Sequence, residues 1–257
     1  LAAKAKGAKP EAAVDPGAPD PADALLPELR KGSVEAIQKL VALGTPRAFE
    51  LLLSELSLGL GPKAASTALD AVVAKKVPES LPMLTLYSHH RSPELRKKAL
   101  TGLGGLTATP ADVQATTPLL IAALSDASAD VRGVAAQALG NRKEKSAEPQ
   151  LIKLLLRKDA AAPAALGKIG GPDTARALAE MIGNVPDSMI TETLGELLLR
   201  PDFGPEPIRV EVVKTLGKMP GTQTLDILTD YMKETANETK RPSRGEAQKI
   251  IEQRTAK

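Results

Sequence analysis

The chain has no cysteine, no tryptophan and few aromatic residues, with two Phe and two Tyr among 257 residues. The lack of cysteine excludes disulfides, thiolate metal sites and cysteine nucleophiles. The apolar fraction of 42% is therefore made up mainly of aliphatic residues and alanine. This composition favours closely packed helices over a β-sandwich or barrel. No run of 18 apolar residues occurs, so we expect no transmembrane segment.

The chain also lacks a strong charge of either sign. It holds 34 Lys and Arg against 31 Asp and Glu, a net charge of +3. The segment from Lys233 onward contains more basic than acidic residues and accounts for this excess. A protein that grips nucleic acid without sequence preference presents a basic stripe, and none is evident here. We therefore expect no nucleic-acid partner.

The residues needed for common catalytic sites are missing or badly spaced. His89 and His90 are the only histidines, and adjacent residues on a helix do not share a face, which makes a poor metal site. No Gly-x-Ser-x-Gly motif and no Gly-Lys-Ser/Thr phosphate loop occurs. We expect no enzymatic activity, no metal and no cofactor.

Residues 1–21 are rich in alanine and proline and contain nothing that could form a core. Four prolines forbid a regular helix, so this segment is predicted to be a disordered linker. Linkers of this composition are common after bacterial export signals. We slightly favour an exported, periplasmic location, with a lipid anchor carried by a segment before Leu1, over a cytoplasmic one.

An internal repeat of about 30 residues runs through most of the chain. It is marked by aliphatic residues that close apolar helical stretches, spaced 30, 30, 36, 30 and 30 residues apart: Leu43, Val73, Leu103, Leu139, Ile169 and Leu199. Each period divides into two helices. The second helix carries one apolar stripe, as with Val131, Ala135, Ala136 and Leu139. Glycines that follow several of these stretches are predicted to end helices in the left-handed conformation: Gly44, Gly104, Gly140 and Gly170.

The stretch SDASADVRGVAAQALG, residues 125–140, resembles a HEAT repeat of the bacterial PBS-lyase HEAT-like type. SPELRKKALTGLG and EPIRVEVVKTLG are similar to the same pattern, but more loosely. The resemblance implies an all-α fold, a HEAT-like α-solenoid in which stacked helix pairs form a right-handed superhelix. We expect it to cover residues 22–235, with residues 236–257 forming a C-terminal capping helix and polar tail.

The repeat breaks near its end. Leu216 follows Leu199 by only 17 residues, which is too few for a full pair of helices. Either a first helix has been lost here, or the order of inner and outer helices shifts. The sequence leaves both alternatives open.

The resemblance also implies a mode of action, since the second helices of HEAT-like stacks line the concave side. Polar residues there are candidates for contact with another protein: Lys97, Lys98, Thr101, Gln137, Glu211 and Lys214. In the family, the arginine of the Val-Arg pair bonds to acidic or carbonyl groups of an adjacent unit. This implies a structural role between repeats for Arg96, Arg132 and Arg209, together with Asp130.

The favoured function is that of a non-enzymatic scaffold or adaptor that binds a protein partner along the concave face, with the chain itself a monomer. The alternative is an accessory or regulatory subunit of an enzyme complex, such as a lyase-like chaperone. A nucleic-acid binder is a weaker third alternative.

Overall fold

A computed structural model of the chain describes residues 20–256, and nearly all of the predicted linker lies outside them. The described residues form fifteen α-helices, three short 3-10 turns and no β-sheet, which confirms the predicted all-α class. The first eight helices are α1 (Leu26–Arg30), α2 (Val34–Leu43), α3 (Pro46–Ser57), α4 (Pro62–Lys75), α5 (Leu81–Ser88), α6 (Pro93–Gly105), α7 (Pro110–Ala123) and α8 (Ala129–Asn141). The others are α9 (Glu148–Leu156), α10 (Ala162–Ile169), α11 (Pro172–Glu180), α12 (Asp187–Leu199), α13 (Glu206–Lys218), α14 (Gln223–Glu234) and α15 (Pro242–Thr255).

The described residues divide into two compact units, and the boundary between Ala71 and Val72 falls within α4. None of the helices within residues 20–256 is both long and apolar enough to cross a lipid bilayer.

The first unit is built on α1 to α3 and most of α4. Ser33 and Thr45 cap α2 and α3, because each side chain accepts a hydrogen bond from a backbone N–H three residues on. Gly44 ends α2 in the left-handed conformation with φ of 67°, as predicted. Leu43 was predicted to close the apolar stripe of α2, but it is 40% exposed and Leu40 is fully buried instead. The last buried residue of the stripe is Val41, two residues before the helix ends.

The second unit consists of helix pairs that stack side by side. The second helices α6, α8, α10 and α12 pack on one another in succession. The first helices α5, α7, α9 and α11 pack each on the second helix that follows it. The apolar stripe predicted for α8 is buried along its whole length, from Val131 to Leu139. This unit is an α-solenoid.

Two of the predicted helix-ending glycines have a different role. Helix α6 continues through Gly104, and α8 continues through Gly140. A Cβ atom at Gly104 would lie 2.8 Å from the Cβ of Ala138, and one at Gly140 would lie 3.2 Å from the Cα of Ala165. These glycines let neighbouring second helices approach closely. Gly170 does end α10, but with φ of −57° rather than a left-handed conformation.

The structure favours one of the two alternatives left open for the break in the repeat. Helix α12 is followed in the second-helix layer by α14, since a Cβ atom at Gly195 would lie 2.7 Å from Cδ1 of Ile227. Helix α13 packs most extensively on α15 and lies beside α11 on one side, and it also contacts α12 and α14. The helix that contains Leu216 therefore lies in the layer of first helices, although its sequence resembles a second helix. Leu199 is 36% exposed, and Leu198 is fully buried in its place.

Candidate functional site

The exposed sides of α6, α8 and α10 form a continuous surface, here called the second-helix face. It contains Lys97, Thr101 and Gln137, which are exposed, and Lys98, which is half-buried. The ammonium of Lys97 lies 3.6 Å from a carboxylate oxygen of Asp130, so one charge on α6 faces one on α8. The Thr101 hydroxyl donates to the backbone carbonyl of Lys97. Four of the six predicted partner-binding residues are thus brought together on two neighbouring helices.

A shallow groove runs between α8 and α10 on this face. Its volume is about 270 Å³, and it is lined by Gly133, Gln137, Ala160, Ala161, Ala164, Ala165 and Lys168. The Lys168 ammonium donates to the side-chain oxygen of Asn141 across the two helices, at 2.9 Å. The groove is smaller than most small-molecule pockets, but it can receive a side chain from another protein.

The neighbouring helix α12 carries an acidic pair that was not predicted from the sequence. Glu192 and Glu196 are four residues apart and both are exposed. Partial burial and the nearby carboxylate of Glu196 raise the pKa of Glu192 above its usual value. Like charges at this spacing on a helix were the signal that could have revealed the pair.

Glu211 and Lys214 lie elsewhere. Both are on α13, where they line a second groove between α11 and α13 with a volume of about 280 Å³. Because α13 belongs to the layer of first helices, the structure does not bring these two residues onto the second-helix face. The six predicted candidates therefore occupy two different surfaces.

Arg96, on α6, binds the turn between α7 and α8 of the next helix pair. Its guanidinium makes two hydrogen bonds of 2.7 Å to the carboxylate of Asp126, thirty residues further on. Its third nitrogen donates to the carbonyls of His90 and Arg91. Both side chains of the ion pair are about 15% exposed, so this is a mostly buried, bidentate contact.

Arg132 repeats this arrangement one unit later. It donates to the carboxylate of Asp159 at 2.6 Å and to the carbonyls of Asp126 and Ala127. Asp126 therefore accepts from Arg96 through its carboxylate and from Arg132 through its backbone. The result is a chain of contacts across three successive units, here called the Arg–Asp ladder: Arg96, Asp126, Arg132 and Asp159. Asp130 is not part of it, and its side chain is 76% exposed.

Two opposing effects act on the carboxyl group of Asp126. Burial disfavours its charged form, but hydrogen bonds from Arg96 and from the backbone N–H of Ser128 favour it more strongly. The pKa of Asp126 consequently lies below its usual value. The hydrogen bonds that Arg96 donates to Asp126 raise the pKa of the Arg96 guanidinium.

Arg209 is buried and donates only to backbone carbonyls. Its acceptors are Leu198, Arg200 and Pro201, at 2.8 to 3.1 Å, and its guanidinium lies 5.6 Å from the centre of the Phe203 ring. A cation at this position is favourable, because the carbonyls at the end of α12 carry the negative end of the helix dipole.

A further set of arginines was missed by the sequence analysis. Arg142 follows α8 and donates to Thr116 and to carbonyls at the end of α6: Leu103, Gly104 and Leu106. Its burial lowers the pKa of the guanidinium from its usual value. The Nε atom of Arg142 is buried without a hydrogen-bond partner among the described residues.

Arg200 and Arg254 make equivalent contacts further along. Arg200 donates to the carbonyls of Gly167 and Gly170, at the end of α10. Arg254 donates to the carbonyls of Met219 and Gly221, just beyond α13. The available sequence signal was the recurrence of an arginine 30 to 39 residues after the carbonyls that it binds.

The histidines have local roles in the structure. The Nδ1 atom of His90 accepts a hydrogen bond from the backbone N–H of Ser92, and its ring stacks on Tyr87. Within residues 20–256, no group of three or more His, Asp or Glu side chains is arranged to hold a metal ion.

The family comparison agrees with this architecture, since a model of HEAT repeats matches residues 117–198. The match covers about a third of the chain. The matched HEAT segment contains the groove between α8 and α10, Arg132 and the acidic pair of α12. Arg96 and Lys97 lie before it, and α13 lies after it.

Two engineered proteins of known crystal structure are similar to the chain. One is 20% identical, with 84% of this chain and 95% of that protein covered, and the TM-score is 0.38. The other is 18% identical, with 90% and 62% covered, at the same TM-score. No curated protein matches the sequence.

Proposed function

We propose that this protein is a non-enzymatic scaffold or adaptor that binds another protein along the second-helix face. HEAT repeats commonly mediate protein–protein interaction, and a model of such repeats matches residues 117–198. The observation that carries the proposal is the groove between α8 and α10, which lies on a continuous helical surface and is bordered by polar side chains.

The Arg–Asp ladder supports the same proposal by fixing the surface. Arg96 and Arg132 tie the turns of successive units together through mostly buried charges. A surface that is held rigid loses less conformational entropy when a partner binds. We propose a structural role for these arginines and for Arg209, rather than direct contact with the partner.

Charge changes sign from the second-helix face to the neighbouring helix α12. Lys97 and Lys98 lie on α6, and Glu192 and Glu196 lie on α12. The groove between them is lined by one charged residue, Lys168. A partner segment with acidic residues at one end and basic residues at the other would match this pattern in one orientation only.

The test is affinity purification of the tagged protein from the cells that produce it. The face variant carries Lys97→Ala, Lys98→Ala and Gln137→Ala. A matched control carries the same changes at exposed residues of the first-helix side: Lys145→Ala, Lys153→Ala and Gln114→Ala.

We expect wild type and the control to recover the same defined protein partner, and the face variant to lose it while keeping its helical circular dichroism. Equal recovery of that partner by a folded face variant would show that the binding surface lies elsewhere.

A further inference from the structure

A second surface stands apart from the proposed function, because it lies in the layer of first helices. The groove between α11 and α13 has an apolar floor made by Ala175, Ala179, Ile208 and Val212. Two alanines four residues apart on α11 leave the space, because a larger side chain at either position would fill it. The floor is formed where α13 departs from the regular repeat.

The borders of this groove are basic. Arg176, Lys214 and Lys218 are its cationic residues, and Glu211 is its only carboxylate among the described lining residues. Arg176 donates a hydrogen bond to Asp173 at 3.2 Å and lies 3.9 Å from Glu211, so its charge is already paired. No carboxylate in residues 20–256 lies within 4 Å of the ammonium of Lys214 or of Lys218.

Lys214 and Lys218 are four residues apart on α13 and lie on one side of the helix. Like charges at this spacing repel each other, and a bound anionic group would relieve the repulsion. The excess positive charge therefore faces whatever covers the apolar floor.

We propose that the groove between α11 and α13 binds an acidic peptide segment of a protein partner. An aliphatic side chain of that segment enters between Ala179 and Val212, and its flanking carboxylates pair with Lys214 and Lys218. A small groove with an apolar floor and two exposed lysines on its border is the pattern expected for such a segment.

The probe is the capped peptide Glu-Glu-Leu-Leu-Glu-Glu, titrated into the whole chain with labelled methyl groups and followed by NMR. We expect saturable shifts of the Ile208 and Val212 methyl signals, with a Kd of about 1 mM or tighter. The peptides Glu-Glu-Ser-Ser-Glu-Glu and Lys-Lys-Leu-Leu-Lys-Lys should bind much more weakly, because each lacks one of the two features.

Two variants locate the binding. The double change Lys214→Glu and Lys218→Glu should weaken it about tenfold, and Ala179→Leu, which fills the groove, should abolish the methyl shifts. The matched control, Lys145→Glu with Lys153→Glu, makes the same change in net charge and should bind as wild type does.

Three results would overturn the proposal: no saturable shift with the acidic leucine peptide, equal binding of the serine peptide, or unchanged binding by the folded groove variants. These results are independent of whether the second-helix face variant loses its partner, since the two surfaces share no residue.

Discussion

The Arg–Asp ladder makes a quantitative prediction about stability through the change Asp126→Asn. The asparagine keeps a side-chain oxygen that can accept from the N–H of Ser128, as Asp126 does at 2.8 Å. It removes the negative charge that accepts two hydrogen bonds of 2.7 Å from Arg96. The substitution therefore isolates the charge from the turn geometry.

The expected magnitude follows from the burial of the pair. Exposed ion pairs contribute less than about 1 kcal/mol, whereas removing one partner of a fully buried pair costs about 3–5 kcal/mol. The side chains of Arg96 and Asp126 are 15% and 14% exposed, which places this pair between the two limits. We expect a loss of about 2–3 kcal/mol, which lowers the Tm of a unit of this size by about 5–10 °C.

The effect also has a predictable pH dependence. Because the pKa of Asp126 is lower in the folded state than in the unfolded chain, its charge stabilises the fold above the unfolded pKa of about 4. This contribution is lost as the pH falls below about 4 and through the lower folded value. The difference in stability between wild type and Asp126→Asn should be constant from about pH 5 to 8 and shrink below about pH 4.

Urea unfolding followed by circular dichroism measures both quantities. The matched control is Asp130→Asn, the same change at a side chain that is 76% exposed and 3.6 Å from Lys97. It should alter stability by no more than about 0.5 kcal/mol. The reasoning is refuted if Asp126→Asn is no more costly than Asp130→Asn at neutral pH.

Two further pairs of substitutions test the helix packing and the helix ends. Gly104→Ala should destabilise the protein by about 1–2 kcal/mol, because its Cβ atom would lie 2.8 Å from that of Ala138. Gly133→Ala, which has no atom within 4 Å of its Cβ position, should stabilise the protein by about 0.5–1 kcal/mol. Equal effects of the two substitutions in thermal unfolding would contradict the close approach of α6 and α8. Lys158 follows α9 with a left-handed φ of 60°, so Lys158→Gly should stabilise by about 0.5–1 kcal/mol, and Lys153→Gly, within α9, should destabilise by about 1 kcal/mol. Thermal unfolding checks this pair too, and a loss of stability with Lys158→Gly would be evidence against strain at that helix end.

The regular part of the solenoid was predictable because the spacing of its apolar residues is a local property of the sequence. The apolar stripes on α6 and α8 follow helical periodicity, and Leu103 and Leu139 are buried where the spacing places them. The spacing was less informative at its ends, where Leu43 and Leu199 are exposed. A period fixes which helix a residue belongs to, but the position of the last buried turn depends on what packs against it.

The glycines show what a single sequence leaves ambiguous. A glycine after Leu is compatible with a left-handed helix end and with a close contact between helices. Gly44 takes the first role, whereas Gly104 and Gly140 take the second. The choice depends on how near the neighbouring helix lies, which is a property of the tertiary structure.

The placement of the candidate site could be predicted only in part. Lys97 and Gln137 share a face because their helices are successive members of one layer. Glu211 and Lys214 do not, because α13 changes layer although its sequence resembles a second helix. The acidic partners of the arginines, Asp126 and Asp159, lie 30 and 27 residues away, so pairing them requires the stacking geometry.

The most direct test of the central claim is site-specific photo-crosslinking in the cells that produce the protein. A photoreactive amino acid replaces Gln137 or Ala164 on the second-helix face, and Lys153 on the first-helix side as the control. We expect Gln137 and Ala164 to crosslink to the same protein partner and Lys153 not to crosslink to it. Crosslinks to that partner from Lys153 but from neither Gln137 nor Ala164 would contradict it.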